Sequence, residues 1–411
     1  MDNHKKIPSI RFKGFTGNWD QRKVSSVAEI CGGGTPSTSN PEFWDGDIDW
    51  YAPAEINEQS YVFGSERKIT KLGLEKSSAK LLPAHKTVLF TSRAGIGKTA
   101  ILGREGATNQ GFQSLILNED TNTYFVYSMT DMIKKKAEKV ASGSTFAEIS
   151  GKMLGNLEFL FPDKKEQDTI AIFFELLDNL ITLHQRKYDK LINVKQAMLG
   201  KMFPKEGEKV PEFRFKGFTD DWKQQKLDDV VDKAVDNRGK TPPISENGTH
   251  PLIEVASLGN GAPDYTKVTK YLDDETFDSA LRDYIREGDI LFSTVGSIGL
   301  VSLMDSKEEA AIAQNIVSFR AKEKYDSKFL FAMFSNKENQ DKAWRIVMGA
   351  VQPSIKVSQL ITVKYCVAEN IEEQRKIGDF FYNLDTLITL QKRKVEKLKN
   401  IKKAMLEKIF V

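Results

Sequence analysis

One long segment occurs twice in the chain. Glu166 to Phe203 reads EQDTIAIFFELLDNLITLHQRKYDKLINVKQAMLGKMF, and Glu373 to Phe410 reads EQRKIGDFFYNLDTLITLQKRKVEKLKNIKKAMLEKIF. The same residue stands at 22 of the 38 aligned positions, and no gap is needed. Neither copy contains proline, and apolar residues recur at helical spacing in both. The pattern predicts one long amphipathic helix used twice, so the whole chain should be a duplication.

A shorter repeat precedes each helix. Residues 8–24 (PSIRFKGFTGNWDQRKV) return as 211–227 (PEFRFKGFTDDWKQQKL), with ten of 17 positions identical. Between these anchors and the helices, the copies match only in fragments, such as VLFTSRAGIG against ILFSTVGSIG and ATNQGF against AIAQNI. The duplicated unit is therefore a short anchor, a variable globular domain and a long helix.

Each variable block mixes β-rich runs with helical patches, which is typical of a compact mixed α/β domain. We predict a mixed α/β fold in four parts, divided as follows. A first globular domain covers 1–160 and includes the anchor 8–24; a central helix with its linker covers 161–208; a second globular domain covers 209–368 and includes the anchor 211–227; a C-terminal helix covers 369–411.

Heptad repeats predict how the two helices pack. Each predicted seam is apolar, with a polar residue near its middle. Because neither apolar face is stable in water, we predict an antiparallel coiled coil within one chain, with pseudo-two-fold symmetry and a globular domain at each end. The alternative is that each helix packs on its own domain. The predicted seam residues are Leu177, Leu180, His184, Leu191, Val194 and Met198 in the first helix, and Leu384, Leu387, Gln391, Leu398, Ile401 and Met405 in the second.

Composition excludes several classes of protein. No apolar run approaches the roughly 18 residues of a membrane helix, and the first residues lack a signal-peptide core. Two cysteines and four histidines argue against a disulfide framework or a metal cluster, and they favour the reducing cytoplasm. The net charge of +3 does not indicate a nucleic-acid binder. Any such contact must come from local patches or from partner subunits.

Three motifs resemble catalytic or metal sites, but each is incomplete. AGIGKT (94–99) lacks the first glycine of a phosphate-binding loop, because Ser92 stands there. NPEF (40–43) lacks the second proline of the adenine-methyltransferase tetrapeptide. The acidic run 45–49 has calcium-loop spacing, but Trp50 replaces the required glycine. We therefore predict no catalysis, no metal site and no cofactor in this chain, and an exposed acidic turn at 45–49.

The remaining candidates for chemistry are basic and amide side chains in the globular domains. Arginine and lysine contact phosphates and guanine edges, and asparagine and glutamine pair with adenine. For each residue the alternative is an ordinary solvated surface charge. The candidate DNA-binding residues are Arg67, Lys68, Lys71, Arg93 and Lys98 in the first domain, and Arg238, Lys240, Gln352, Ser354 and Lys356 in the second.

The order of these features resembles that of specificity subunits of type I restriction–modification systems. RFKGFT-x-x-W occurs twice, and GGGTPSTSNPEFWDGDIDW, LFTSRAGIGKTAIL, ATNQGF and FPDKKEQDTIAIFFELLD agree with the family, while RGKTPPISENG in the second domain departs from it. The resemblance covers essentially the whole chain.

The resemblance implies that each globular domain is a target recognition domain that reads one half of an asymmetric site in double-stranded DNA. The helices would act as a spacer and as the docking surface for two methylation subunits, with restriction subunits as further partners. S-adenosylmethionine, ATP and Mg would be bound by those partners. The alternatives are a non-catalytic scaffold that displays two domains without DNA specificity, and a methyltransferase with a disguised motif.

Overall fold

The computed structural model describes residues 7–93, 95–141, 147–236, 242–259, 261–280, 283–306, 309–349, 351 and 353–410. The chain divides into two compact units. The first unit contains residues 1–183 and 395–411, and the second contains residues 184–394. Each unit therefore contains one globular domain, the beginning of one long helix and the end of the other.

The first unit is a mixed α/β domain. Its described strands form sheets in the orders β2-β9-β6-β7-β4, β5-β3-β8 and β1-β10. The strands are β1 (Asp20–Lys23), β2 (Ala28–Gly32), β3 (Trp44–Tyr51), β4 (Tyr61–Val62), β5 (Arg67–Ile69), β6 (Thr87–Phe90), β7 (Thr99–Leu102), β8 (Gly106–Thr108), β9 (Gln113–Leu117) and β10 (Glu158–Phe161). The helices are α1 (Val24–Val27), α2 (Lys71–Glu75), α3 (Thr123–Ser128), α4 (Thr130–Val140), α5 (Gly151–Gly155) and α6 (Lys164–Met202), which continues into the second unit.

The second unit repeats this plan with fewer paired strands in its described part. Its sheets have the orders β12-β18-β15-β16, β14-β13-β17 and β11-β19. The strands are β11 (Lys223–Lys226), β12 (Val231–Asp236), β13 (His250–Ile253), β14 (Tyr271–Leu272), β15 (Ile290–Ser293), β16 (Val301–Leu303), β17 (Ala311–Ile312), β18 (Ile316–Ala321) and β19 (Lys364–Val367). The helices are α7 (Leu227–Val230), α8 (Asp274–Ala280), α9 (Ser327–Ser335), α10 (Lys337–Trp344), α11 (Val357–Leu360) and α12 (Ile371–Ile409), which continues into the first unit.

The segments with helical pattern before each long helix are broken rather than continuous. Residues 124–140 and 328–347 have apolar residues at helical spacing, and each segment forms two helices: α3 and α4 in the first, α9 and α10 in the second. In the second case the break is at Asn336, whose side-chain oxygen accepts a hydrogen bond from the backbone N–H of Asn339 at 3.0 Å. This cap begins a new helix.

Each long helix is fixed to its anchor by a buried ion pair near its first turn. Arg11 donates two hydrogen bonds to the carboxylate of Glu166, at 2.7 and 2.6 Å. Arg214 does the same to Glu373, at 2.6 and 2.8 Å. Two parallel N–H···O bonds hold the guanidinium and carboxylate in one geometry. The arginine of each RFKGFT anchor therefore holds the first turn of the long helix that follows its domain.

The helices pack against each other in antiparallel fashion within each unit. In the first unit the rings of Phe174 and Phe410 stack with centroids 5.9 Å apart. In the second unit the rings of Phe203 and Phe381 lie 6.2 Å apart. An early residue of one helix thus meets a late residue of the other in both units. The predicted mixed α/β class and the packing of the two long helices are confirmed.

The same contacts complete both globular cores. Phe410, just beyond the end of α12, joins the first core beside Trp19 and Phe125. Phe203, just beyond the end of α6, joins the second core beside Trp222 and Phe329. Each core therefore packs on the start of its own helix and also on the end of the helix that follows the other domain.

The predicted seam is wrong in one of its two rows. Leu180 and Val194 are 45% and 39% exposed, and Leu387 and Ile401 are 47% and 40% exposed. From Leu177 the at least partly buried positions follow at steps of four and then three residues, to Ile181 and His184. The predicted seam used steps of three and then four, to Leu180 and His184. Both rows are largely apolar in the sequence, so only packing distinguishes them. The residues that replace the exposed row are one position later: Ile181, Tyr188 and Lys195 in α6, and Ile388, Val395 and Lys402 in α12.

The other predicted row is at least partly buried along both helices. Its two polar members, His184 and Gln391, face each other in the second unit, with His184 Nδ1 2.9 Å from Gln391 Oε1. The remaining members of this row are Leu177, Leu191, Met198, Leu384, Leu398 and Met405.

Candidate nucleic-acid interface

A hairpin with its loop at residues 91–98 joins β6 to β7 in the first domain. The Thr91 hydroxyl donates to the Gly95 carbonyl oxygen at 2.6 Å and accepts from the Lys98 backbone N–H at 2.9 Å. Gly97 has φ +84°, and a Cβ there would lie 2.4 Å from the Lys134 side chain. Glycine is therefore required at this turn. Because the loop connects two antiparallel strands, it is not a phosphate-binding loop, which would lead into a helix.

The second domain repeats this hairpin between β15 and β16. The Ser293 hydroxyl donates to the Ser297 carbonyl oxygen at 2.6 Å and accepts from the Leu300 backbone N–H at 2.8 Å. Gly299 also has a positive φ, +84°. The two hairpins thus share the same hydrogen-bonded turn, which begins at a hydroxyl residue, Thr91 or Ser293.

The side chains that the two hairpins carry are different. The first hairpin holds Arg93, which is partly exposed, and Lys98, which is exposed. Val295 and Leu300 hold the equivalent positions of the second hairpin. Within the described ranges neither Arg93 nor Lys98 forms an ion pair, so both cations can bind an external anion.

A following segment lies beside each hairpin. The Ile149 N–H donates to the Ser92 carbonyl at 3.0 Å, and the Ile355 N–H donates to the Thr294 carbonyl at 2.8 Å. Ser354 and the exposed Lys356 flank Ile355, so the structure places them next to the second hairpin. Ser354 and Lys356 are distant in sequence from the second hairpin. They nevertheless lie beside it, at a location equivalent to the one that Arg93 and Lys98 occupy in the first domain.

The other basic cluster of the first domain lies on a different sheet and is partly engaged internally. The Arg67 guanidinium carbon is 3.6 Å from the Trp44 ring centroid, a cation–π contact. Lys68 Nζ is 3.6 Å from a carboxylate oxygen of the buried Asp49. The whole run 45–49 belongs to strand β3, so the predicted acidic turn is wrong; Asp45 and Asp47 are exposed, but Asp49 is buried. Lys71 is exposed at the start of α2.

Three predicted residues, Arg238, Lys240 and Gln352, lie outside the described residues. One loop that was not among the predicted contacts does lie beside the first hairpin. The Ser92 N–H donates to the Gly111 carbonyl at 2.8 Å, and the exposed amide of Gln110 contacts the Thr35 hydroxyl. The sequence feature that could have indicated this loop as a DNA contact is the Asn109-Gln110 pair before a glycine, because side-chain amides hydrogen-bond to adenine.

A second surface runs along the outer side of each long helix. We call it the outer stripe. All its members are exposed, and six of the seven pairs are identical between the helices. Most other positions that are exposed in both helices have diverged, as at Ile172 against Asp379 and Leu176 against Asn383, whereas Arg186 and Asn193 are matched by Arg393 and Asn400. The outer stripe consists of Leu180, Leu183, Lys187, Lys190, Val194, Ala197 and Lys201 in α6, and Leu387, Leu390, Lys394, Lys397, Ile401, Ala404 and Lys408 in α12.

The described part of the chain contains no group of three or more histidine, cysteine or acidic residues placed to hold a metal ion. No helix there has the length and apolar character needed to cross a bilayer.

These features define a two-domain recognition protein, in which one loop framework carries different side chains in two domains built on paired helices. The family model described as "Type I restriction modification DNA specificity domain" matches residues 16–193 and 219–400. The chain therefore belongs to the family of type I restriction–modification specificity subunits.

Known relatives agree with this membership. The MjaIX specificity subunit of Methanocaldococcus jannaschii is 27% identical over 95% of this chain and 92% of its own length. The MjaVIII specificity subunit of the same organism is 24% identical over 70% of this chain and 68% of its own. The crystal structure of the S subunit from M. genitalium shares the fold, with a TM-score of 0.64 at 14% identity over 98% of this chain and 99% of that one.

Family membership establishes the general role. The chain is the DNA specificity subunit of a type I system, with two target recognition domains, and it is a non-catalytic part of the enzyme. Specificity subunits carry no cofactor, and S-adenosylmethionine and ATP are bound by the methylation and restriction subunits.

Proposed function

We propose that each target recognition domain reads one half of an asymmetric, bipartite site in double-stranded DNA, with its hairpin at the contact. One observation carries this proposal: the two hairpins share a framework and differ in their exposed side chains. Arg93 and Lys98 suit phosphates and guanine edges, whereas Val295 and Leu300 suit the thymine methyl group. Two unlike surfaces require two unlike half-sites.

We propose that the helices set the distance between the half-sites. Each helix has 39 residues. At about 1.5 Å per residue this is roughly 58 Å, more than one turn of B-DNA at about 34–36 Å. If helix length sets this distance, the protein need not contact the bases between the half-sites.

The outer stripe supports docking of methylation subunits. Exposed residues without a function are free to diverge, and most of the neighbouring exposed positions have done so. Two nearly identical stripes therefore fit two copies of the same partner. A structure with the same fold, 17% identical over 97% of this chain and 99% of that one with a TM-score of 0.51, is described as concerning complex assembly of a type I system. We propose that two methylation subunits bind these stripes, that restriction subunits join the complex, and that it acts in the cytoplasm.

Methylome sequencing of cells that express this chain with its methylation subunit tests the function. The expected result is methylated adenine in one split sequence whose two halves differ. Random or absent methylation, in cells where the complex is present, would contradict the proposal.

Replacing Arg93 and Lys98 by alanine should weaken recognition of one half-site only. Each lost base contact costs about 1–3 kcal/mol of discrimination, and each lost phosphate contact lowers the salt dependence of binding by about one charge. Fluorescence anisotropy with oligonucleotides altered in either half measures this. Leu300→Ala, at the position of the second hairpin equivalent to Lys98, is the matched control and should affect the other half. Equal weakening of both halves would show that the hairpins do not read separate half-sites.

Leu180→Asp should remove one methylation subunit from the complex, and Leu180→Asp with Leu387→Asp should remove both. A leucine buried in an interface contributes about 1.5–3 kcal/mol, so each affinity should fall by about 10- to 100-fold. Native mass spectrometry gives the stoichiometry. Ile172→Asp is the control, because Asp379 already occupies the equivalent exposed position of α12. Equal loss of the partner in this control would reject the outer stripe as the docking site.

A further inference from the structure

A glutamine occupies an equivalent position beside each hairpin. In the first domain Gln110 lies one residue before the carbonyl that accepts from the Ser92 N–H at 2.8 Å. In the second domain Gln314 lies one residue before the carbonyl that accepts from the Thr294 N–H, also at 2.8 Å. Both glutamines are exposed, so their amide groups can reach an external partner.

A second pair of hydrogen bonds supports this equivalence. The residue before Gln110 donates its N–H to the Tyr51 carbonyl at 3.0 Å, and the residue before Gln314 donates to the Ile253 carbonyl at 2.9 Å. Tyr51 ends β3, which pairs in parallel with β8, and Ile253 ends β13, which pairs in parallel with β17. The two glutamines therefore extend from the same point of the same framework.

The residues around the two glutamines differ between the domains. All of them are exposed or partly exposed. Because these neighbours have diverged, an identical glutamine indicates a task that is common to the two half-sites. The differing pairs are Arg93 and Val295, Lys98 and Leu300, Asn109 and Ala313, Glu148 and Ser354, and Ser150 and Lys356.

Closing the turn is not this common task. In the first domain the Gly111 N–H donates to the side-chain oxygen of Asn109 at 2.8 Å. In the second domain the Ile316 N–H donates to the backbone carbonyl of Ala313 at 3.1 Å. The two turns are thus closed in different ways, and neither bond uses the glutamine side chain.

The base pair that is methylated is the one that both half-sites must share. The inference rests on the proposed function, in which two copies of one methylation subunit modify the two half-sites. Each half-site then has its adenine at an equivalent place relative to its recognition domain. Enzymes that modify a base take it out of the stack, so a contact that lasts through the reaction is a contact to the opposite thymine. Thymine O4 is an acceptor in the major groove, and the thymine N3–H becomes free once the adenine has left.

We propose that Gln110 and Gln314 each hydrogen-bond to the thymine opposite the methylated adenine, one in each half-site. A glutamine amide carries donors and an acceptor side by side, so it fits both O4 and N3–H of thymine. In the first domain the Thr35 hydroxyl donates to Gln110 Oε1, which orients the amide and leaves Nε2 to donate to O4. The surrounding residues then read the bases that differ between the half-sites.

Fluorescence anisotropy with the complex of this chain and its methylation subunits tests the contact. Methylome sequencing first locates the methylated adenine of each half-site, and the opposite thymine is then replaced by an abasic site in one half or the other. Gln110→Ala should weaken binding to the intact duplex about tenfold, and it should have no effect when the thymine of its own half-site is missing. Gln314→Ala should show the same dependence on the other half-site. Gln110→Glu, which keeps the size but loses the N–H donors, should weaken binding at least as much as Gln110→Ala.

Removing the thymine of the opposite half-site is the matched control, and there the tenfold effect of each variant should persist. No weakening on the intact duplex, or weakening that persists whichever thymine is removed, would overturn the proposal. Sequence-specific binding by the unaltered complex is measured in the same experiment. Its absence would contradict the proposed function, whereas its presence without dependence on the thymine would contradict only the glutamine contact.

Discussion

Deleting residues 184–190 and 391–397 together should shorten the gap between the two DNA half-sites by about three base pairs. Seven residues of helix correspond to about 10.5 Å, and one base pair rises about 3.4 Å. Each deletion removes one heptad, so the four-three spacing of the interface is kept. The pairs Lys195–Asp385 and Lys402–Asp178 lie outside the deleted segments. The half-sites should be unchanged because no residue of either globular domain is altered.

Methylome sequencing of the double deletion measures the gap directly. The deletion in α6 alone is the control. It shifts one helix against the other by one heptad, so the antiparallel contacts cannot all form, and we expect loss of stable protein. An intact double-deletion complex that methylates the original spacing would refute the idea that the helices set the gap.

Glu166→Ala should destabilise the first unit by about 3–5 kcal/mol, because it leaves the Arg11 guanidinium without its buried partner. The Glu166 side chain is 1% exposed and that of Arg11 is 13% exposed, so water replaces the lost carboxylate only in part. The carboxylate also raises the pKa of Arg11, consistent with a stabilised cation. Chemical denaturation of the full chain measures the change, and Glu373→Ala should do the same to the second unit.

The double variant Arg11→Met with Glu166→Leu provides the test of cause. Replacing both charges by apolar groups of similar size removes the unpaired charge, so stability should return close to that of the original chain. Glu212→Ala, which breaks an exposed pair with Lys201, should change little. If the double variant were as unstable as Glu166→Ala, lost packing rather than an unpaired charge would be the cause.

The helix interface shows where sequence reasoning stops. The heptads of Leu177 and Leu384 correctly indicated two helices that pack together. The second predicted row, at Leu180 and Leu387, lies one residue before the buried row, because the sequence has apolar residues on both adjacent rows. A row that faces a partner protein has the same composition as a row that faces a helix of its own chain. Only the observed packing separates them.

The DNA-contact candidates show a similar limit. Arg93 and Lys98 could be grouped from the sequence because a hairpin keeps its two sides together. The relation of Ser354 and Lys356 to the second hairpin could not, because backbone hydrogen bonds between distant segments create it. The Arg67 cluster looked equally basic in sequence, yet Trp44 and Asp49 contact its charges. Side-chain type indicates which residues can contact DNA, and tertiary contacts show which of them are free to do so.

The sequence by itself determined the duplication, the mixed α/β class of the two domains and the two long helices, because periodicity and internal repetition are local properties of a chain. Tertiary structure alone decided which rows of the helices meet and that Phe203 and Phe410 each complete the core of the domain that begins the other copy. These outcomes depend on shape complementarity between residues that are distant in the sequence, such as Trp19 and Phe410 or Phe203 and Phe329. Burial of an apolar face is non-directional until a specific partner surface is present.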